Sequence, residues 1–146
     1  MLKEYLEAMR ALWSEEEASY DGEFVSFGPS WAYPKPARGR VPVILGAGAG
    51  PKTFAWIARH ADGWMTTPTS TNVAAGADAL RKAWADAGRE GAPDVRVLVA
   101  KRPSAEDFAD WTAAGASELI WGVPDADEDK VLAYLDKLAG RLGLTA

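Results

Sequence analysis

From Leu2 to Trp13 apolar side chains recur every three or four positions (Leu2, Leu6, Met9, Leu12 or Trp13). That period predicts a helix over residues 2–13 with one buried stripe. The helix begins at Met1 with no capping residue and no preceding strand, so the chain reads as entering a fold partway through. Ser19-Tyr-Asp-Gly-Glu-Phe-Val-Ser-Phe27 then sets Asp21-Gly22 between β-prone flanks, a hairpin signal. Residues 28–40, rich in proline and glycine and carrying Trp31 and Tyr33, predict an irregular loop.

Beyond Val41 the pattern becomes regular. Val43 to Leu45 predict a short buried strand, and Pro51 opens a helix over residues 51–60 with Phe54, Ile57 and Ala58 inward. Asp62-Gly63 punctuates, and Trp64 to Thr67 predict a strand. A helix follows over residues 71–87, with Val73, Ala77, Leu80 and Trp84 inward and Gly88 at its end. Val95 to Ala100 predict a strand, Ser104 caps a helix over 105–114, and Glu118 to Trp121 predict another strand. The last helix, residues 126–142, has an acidic start, a basic end, and Val131, Leu135, Leu138 and Leu142 inward. Four β-then-α units in succession imply an α/β fold with a parallel sheet and right-handed crossovers. They amount to half of an eight-stranded (β/α) TIM barrel, within one domain over residues 1–146.

The chemistry concentrates where the first of these strands hands over to a helix: Gly46-Ala47-Gly48-Ala49-Gly50-Pro51-Lys52-Thr53. Proline suits the first helical position, because its missing N–H would be unpaired there anyway. The remaining unpaired N–H groups, at the positive end of the helix dipole, form an anion site. The glycines let a phosphate approach the backbone closely, with Lys52 adding charge and Thr53 a hydroxyl. The competing reading is a plain strand-to-helix connection. The spacing G-x-G-x-G is not the G-x-G-x-x-G dinucleotide fingerprint, and no acidic residue ends the following strand as that fingerprint requires.

Composition narrows the classes. The chain is 146 residues long, 48% apolar and 25% charged, ordinary for a globular domain with a core. Its net charge of −5 and scattered 16 basic residues argue against nucleic acid, which needs clustered cations. It has no cysteine, so disulfides and thiolate chemistry are excluded. No apolar run approaches the ~20 residues of a membrane helix, and the start lacks a signal-peptide core, so the expected location is cytoplasmic.

Five segments in register carry a resemblance: Glu4-Tyr-Leu-Glu-Ala-Met-Arg-Ala-Leu-Trp13, Ser19-Tyr-Asp-Gly-Glu23, Lys35-Pro36, Pro42-Val-Ile-Leu-Gly46 and Ala61-Asp-Gly-Trp64. Together they resemble the C-terminal part of the luciferase-like monooxygenase family, closest to its branch that uses the deazaflavin coenzyme F420. The resemblance implies a (β/α)-barrel oxidoreductase, with F420 (alternatively FMN) at the C-terminal face of the barrel and a small-molecule substrate. It places Gly46, Ala47, Gly48, Ala49, Gly50 and Thr53 in the segment that holds the cofactor phosphate. Family members carry four further β/α units before this point, which supply most walls around the reactive ring. A half-length chain, whether truncated, split or a fragment, therefore expects a homo-oligomer or a complementary half-barrel chain. The alternative function is a non-catalytic half-barrel that acts as an interaction or dimerisation module. Where the family usually has Gln and His near the prolines, this chain has Ala37-Arg-Gly-Arg-Val41.

No catalytic residue is assigned. His60 is the only histidine, which excludes a histidine metal cluster and any confident Ser/His/Asp set, and no metal-ligand spacing occurs. Glu15 to Glu17 and Asp125 to Asp129 read as a solvated face and a helix start. Trp13, Trp56, Trp84 and Trp111 read as core packing on helices. Asp62 and Gly63 read as turn-forming and Trp64 as packing, with ligand contact the lesser reading. Trp31 and Tyr33 read as anchors of their loop, with a lid over a ligand as the competing role, and Trp121 ends a strand at the face where barrel ligands bind.

Overall fold

A computed structural model describes residues 1–69, 72–99 and 104–144. The chain divides into two compact units, Met1–Val43 and Ile44–Ala146.

The first unit holds α1 (Leu2–Ser14) and an antiparallel pair, β1 (Ala18–Asp21) and β2 (Ser26–Ser30). The hairpin forms where Asp21-Gly22 predicts it, with Asp21 opposite Ser26. Its connection is a four-residue loop, closed by the Gly22 amide on the Val25 carbonyl at 3.0 Å. Two acidic side chains of α1 fasten the helix to this hairpin. Glu4 accepts the Phe24 amide at 2.8 Å, and a side chain at position 22 would have to displace the Glu4 carboxylate from this contact. Glu7 accepts the Tyr20 hydroxyl at 2.8 Å. Lys35 reaches back to the C-terminus of α1, donating to the carbonyls of Leu12 (2.8 Å) and Glu15 (2.5 Å). A cation there satisfies carbonyls that the helix leaves unpaired and complements its dipole. Leu6, Ala8 and Ala18 are the unit's buried apolar side chains.

The second unit is a four-stranded parallel sheet of β3 (Ile44–Gly46), β4 (Gly63–Thr66), β5 (Asp94–Val99) and β6 (Glu118–Trp121), in that spatial order. Helices α2 (Pro51–His60), α3 (Val73–Asp86), α4 (Ala105–Ala113) and α5 (Glu128–Leu142) alternate with the strands. This is the expected run of four β/α units, half of a TIM barrel. Element boundaries move by one or two residues where local chemistry decides. Asn72, Ser104 and Asp127 each accept an amide of the following turn, so their helices start at Val73, Ala105 and Glu128. Ala100, expected to end a strand, and Thr71, expected to open a helix, lie outside the described residues.

Alternation along the strands separates two faces of the sheet. Val97 and Val99 meet Val73 of α3 and Trp111 of α4, so this face packs on the helices. Trp64 belongs to the same face, its ring edge-on to Phe54 of α2 with centroids 5.0 Å apart. Trp64, Ile57, Leu80, Val95 and Val97 are the largest fully buried side chains. By register, Gly46, Met65, Arg96 and Glu118 lie in one row on the opposite face. There Arg96 pairs with Asp94 (2.8 Å) and Glu118 (2.7 Å), and Leu98 is 38% exposed.

Helix α5 departs from expectation. Val131, Leu138 and Leu142 are only half-buried, and Leu135 is exposed. The reason is positional: α5 packs on α4 at the end of the helix row, beside β6, the last strand of the sheet.

The Glu7 hydrogen bond, some loss of hydration, and the charges of Glu7 and Glu4 push the Tyr20 hydroxyl from 10.0 up to about 12. A raised folded-state value means that the contact is complete below the ordinary tyrosine range and is lost as pH rises through the folded-state value. Spectrophotometric titration should therefore show one of the four tyrosines ionising near 12. In Glu7→Gln that step should fall back toward 10.0, the ordinary value. Four tyrosines ionising together would contradict the contact.

Candidate functional site

In a parallel sheet all strands leave at the same edge, so the segments after β3, β4 and β6 share one rim of the second unit. The segment after β3 is residues 47–50, extended and without regular structure. Gly46, Gly48 and Ala49 are exposed, whereas Ala47, Gly50 and Thr53 are half-buried. Gly50 is the N-cap of α2 and Pro51 its first residue, and no side chain caps this terminus. The other helices of the unit all have side-chain caps, from Asn72, Ser104 and Asp127. The Lys52 and Thr53 amides belong to a first turn that helix geometry leaves without an intrahelical acceptor.

The glycines of this loop differ from the structural glycines of the fold. A Cβ on Gly63 would lie 2.1 Å from the Asp94 carbonyl oxygen, so strand pairing between β4 and β5 requires glycine there. A Cβ on Gly48 or Gly50 would meet nothing within 4 Å, and neither adopts the left-handed backbone that favours glycine, Gly50 being extended at φ 172°. A Cβ on Gly46 would make only an ordinary 3.7 Å contact with Met65. Neither packing nor backbone conformation accounts for glycine at 48 and 50. Open space above a bare, rim-facing backbone is what a close-approaching anion needs, so the residues present fit a cofactor phosphate.

The loop is not slack. Trp64, fully buried beneath it, donates its indole N–H to the Ala47 carbonyl at 2.8 Å. Sequence reading gave Trp64 as packing; the packing is there, and the hydrogen bond is what it missed. An aromatic residue one strand away leaves no trace in the loop's own sequence.

The remaining candidates fall to structural roles. Asp62 faces Arg89 at 3.7 Å, and Arg89 donates to the carbonyls of Ala61 (2.5 Å) and Ala58 (3.4 Å) while lying 3.7 Å over the Trp84 ring. Arg89 thus closes the C-terminus of α2, and Arg81 does the same for α4 by donating to the Ala114 carbonyl. His60 sits at that same closed end, its ring tilted against Trp56 with centroids 5.1 Å apart, about 14 Å along α2 from the loop at 1.5 Å per residue. Trp121 packs with Leu119 against the helix-side cluster, away from the open face. Trp84 is buried and Trp111 partly buried, as expected. Trp31 (63%) and Tyr33 (64%) are largely exposed and so do not act as buried anchors; Tyr33 instead lies under the Lys35 ammonium.

An open groove of about 870 Å³ runs between α2 and α3, touching the loop only at Ala49, Gly50 and Pro51. Ala49, Ala55, Ala75, Ala79, Ala83 and Ala87 form much of its wall, and its polar groups serve their own helices. Asn72 caps α3, Lys82 pairs with Asp86 at 2.7 Å, and Arg59 Nε bonds the Ala55 carbonyl. No polar groups converge within it, so the strand-end rim is the better candidate. Among the described residues, no group of three or more His, Cys, Asp or Glu is placed to hold a metal, and no helix is long and apolar enough to cross a membrane. On the open face, partial burial pushes the Asp94 carboxyl up, but hydrogen bonds from Arg96 and Ser117 outweigh it and hold Asp94 below its ordinary value.

The sequence pattern of the luciferase-like monooxygenase family matches residues 1–142. The chain belongs to this family. Uncharacterized proteins of Mycobacterium tuberculosis and Mycobacterium bovis are 50% identical over 142 residues, covering 97% of this chain and 50% of each relative. The chain therefore spans about half the length of the relatives it matches. Among solved structures, monooxygenase RslO1 from Streptomyces bottropensis superposes with a TM-score of 0.55 at 21% identity, over 96% of this chain and 50% of that one. An F420-dependent secondary alcohol dehydrogenase, in complex with an F420-acetone adduct, superposes with a TM-score of 0.67 at 14% identity, over 97% of this chain and 61% of that one. At these identities the two structures establish the luciferase-like half-barrel fold.

The Arg89 assignment is structural and can be separated from binding. Arg89→Ala should lower the free energy of urea unfolding by about 1–3 kcal/mol, since it strips two carbonyls of a charged donor. A loss below about 0.5 kcal/mol, the range of an ordinary surface change, would contradict it.

Proposed function

We propose that this chain is the cofactor-gripping part of a luciferase-like oxidoreductase, in which a hydride moves between a deazaflavin, coenzyme F420, and a small organic substrate. FMN is the alternative cofactor. The observation that carries this reading is the bare, open backbone at Gly48 and Gly50, ahead of a helix N-terminus that no side chain caps. Membership of the family supports it, and the F420-dependent neighbour favours the deazaflavin.

In this reading the amides of residues 46–50 and the Thr53 hydroxyl hold the cofactor's anionic tail. Each charge-assisted hydrogen bond contributes about 1.5–3 kcal/mol, so two or three of them fix the tail. When bound, the ring supplies the two-electron chemistry. The chain's own part is to bind and orient from the C-terminal rim of the sheet. No general acid or base is assigned to it, because no titratable side chain of the described rim is placed for proton transfer.

The open face of the sheet favours a second element of the account. We read the chain as the C-terminal half of a (β/α)8 barrel, whose inward face (Met65, Arg96, Leu98, Glu118) closes against four further β/α units. A complementary chain or a second copy could supply them. A non-catalytic dimerisation module is the competing function, and the same open face supports it.

Two measurements test these readings. Gly48→Val should weaken F420 or FMN affinity at least tenfold, about 1.4 kcal/mol, while the unfolding midpoint stays near that of the wild type, because a Cβ at this exposed position meets nothing within 4 Å. Unchanged affinity would remove the loop from the site. Sedimentation velocity of the isolated chain should show self-association that shifts with concentration. A cooperative monomer at all concentrations would rule against a partner for the open face.

A further inference from the structure

We propose that Trp64 is a positioning residue that aims the Gly48 amide at the bound anion. The inference rests on the loop's role under Proposed function and deepens it. The Trp64 indole is fully buried between β4 and α2, and it makes two contacts that matter. Its N–H holds the Ala47 carbonyl at 2.8 Å, and its ring meets Phe54, in the first turn of α2, edge-on at 5.0 Å.

Peptide geometry turns the first contact into an orientation. The 47–48 bond is trans, so the Ala47 C=O and the Gly48 N–H lie in one plane and point in opposite directions. Drawing the carbonyl inward to the indole therefore turns the Gly48 N–H away from the indole, and Gly48 itself is exposed, with nothing within 4 Å of where a Cβ would stand. Without that hydrogen bond, the peptide between Ala47 and the unbranched Gly48 is free to rotate, and its carbonyl can face the anion instead. A carbonyl in that place repels what the amide attracts. The second contact fixes the first turn of α2 to the same ring, so one buried side chain sets the distance between the loop amides and Thr53. A core residue that touches no ligand thereby decides the polarity of the ligand-facing backbone.

The test removes the donor and keeps the shape. Replacing Trp64 by β-(3-benzothienyl)alanine exchanges the indole N–H for sulfur in the same bicycle; Trp64→Phe is a second variant. Fluorescence titration with F420, and separately with FMN, gives affinity, and amide hydrogen exchange reports residues 46–50. The expected result is about a tenfold weaker affinity, the loss of one net hydrogen bond, with faster exchange at residues 46–50 and little change in α3. Wild-type affinity in the isostere, or unchanged exchange, overturns the role of Trp64 and leaves the grip standing. A wild-type chain that binds neither F420 nor FMN overturns the proposed function itself, and this role with it.

Discussion

One part-buried hydrogen bond, from the Trp64 indole to the Ala47 carbonyl, ties the hydrophobic core of the second unit to the open backbone at its rim. Everything on either side of that bond is ordinary α/β architecture. Below it, Val95, Val97, Ile57 and Leu80 fill the space between sheet and helices. Above it, residues 46–50 expose peptide groups with no side chains to cover them. An exposed loop of glycine and alanine would normally sample many conformations, at a cost of ordering it on binding. Anchoring one carbonyl to the core meets part of that cost when the protein folds.

A second constraint recurs at the other end of the helices. Lys35, Arg89 and Arg81 each donate to the last carbonyls of a helix that is not their own. In the second unit, Arg89 sets the two ends of α2 apart. The end of α2 that holds Asp62, His60 and Arg89 is closed by charge and hydrogen bonds. The opposite end, at Gly50, carries no side-chain cap. On the proposed reading, binding falls at the opposite end of α2 from these stabilising contacts, as in (β/α) barrels generally.

The order and type of the elements were legible because each β/α unit is encoded locally. Apolar spacing, the cap at Ser104, the acidic start of the last helix and the glycines after helices all act within a few residues. The loop at 46–53 was legible for the same reason. What escaped the sequence acts across it. The segments that carry the family resemblance turn out to be contacts of the fold: Glu4 and Glu7 on the hairpin, Lys35 on α1, Asp62 facing Arg89. Their partners lie 13 to 27 residues away, beyond any local pattern. The exposure of Leu135 was equally illegible, since helical periodicity marks an apolar stripe but not what lies against it.

The central claim is that the outward amides of residues 46–53 hold an anionic cofactor tail at the rim of the sheet. Amide chemical shifts of the uniformly labelled chain, recorded as F420 is added, test it most directly. The account predicts that the largest changes fall on Gly48, Gly50, Lys52 and Thr53, with downfield amide protons. Changes confined to the groove between α2 and α3, or to the closed end near His60, would contradict it.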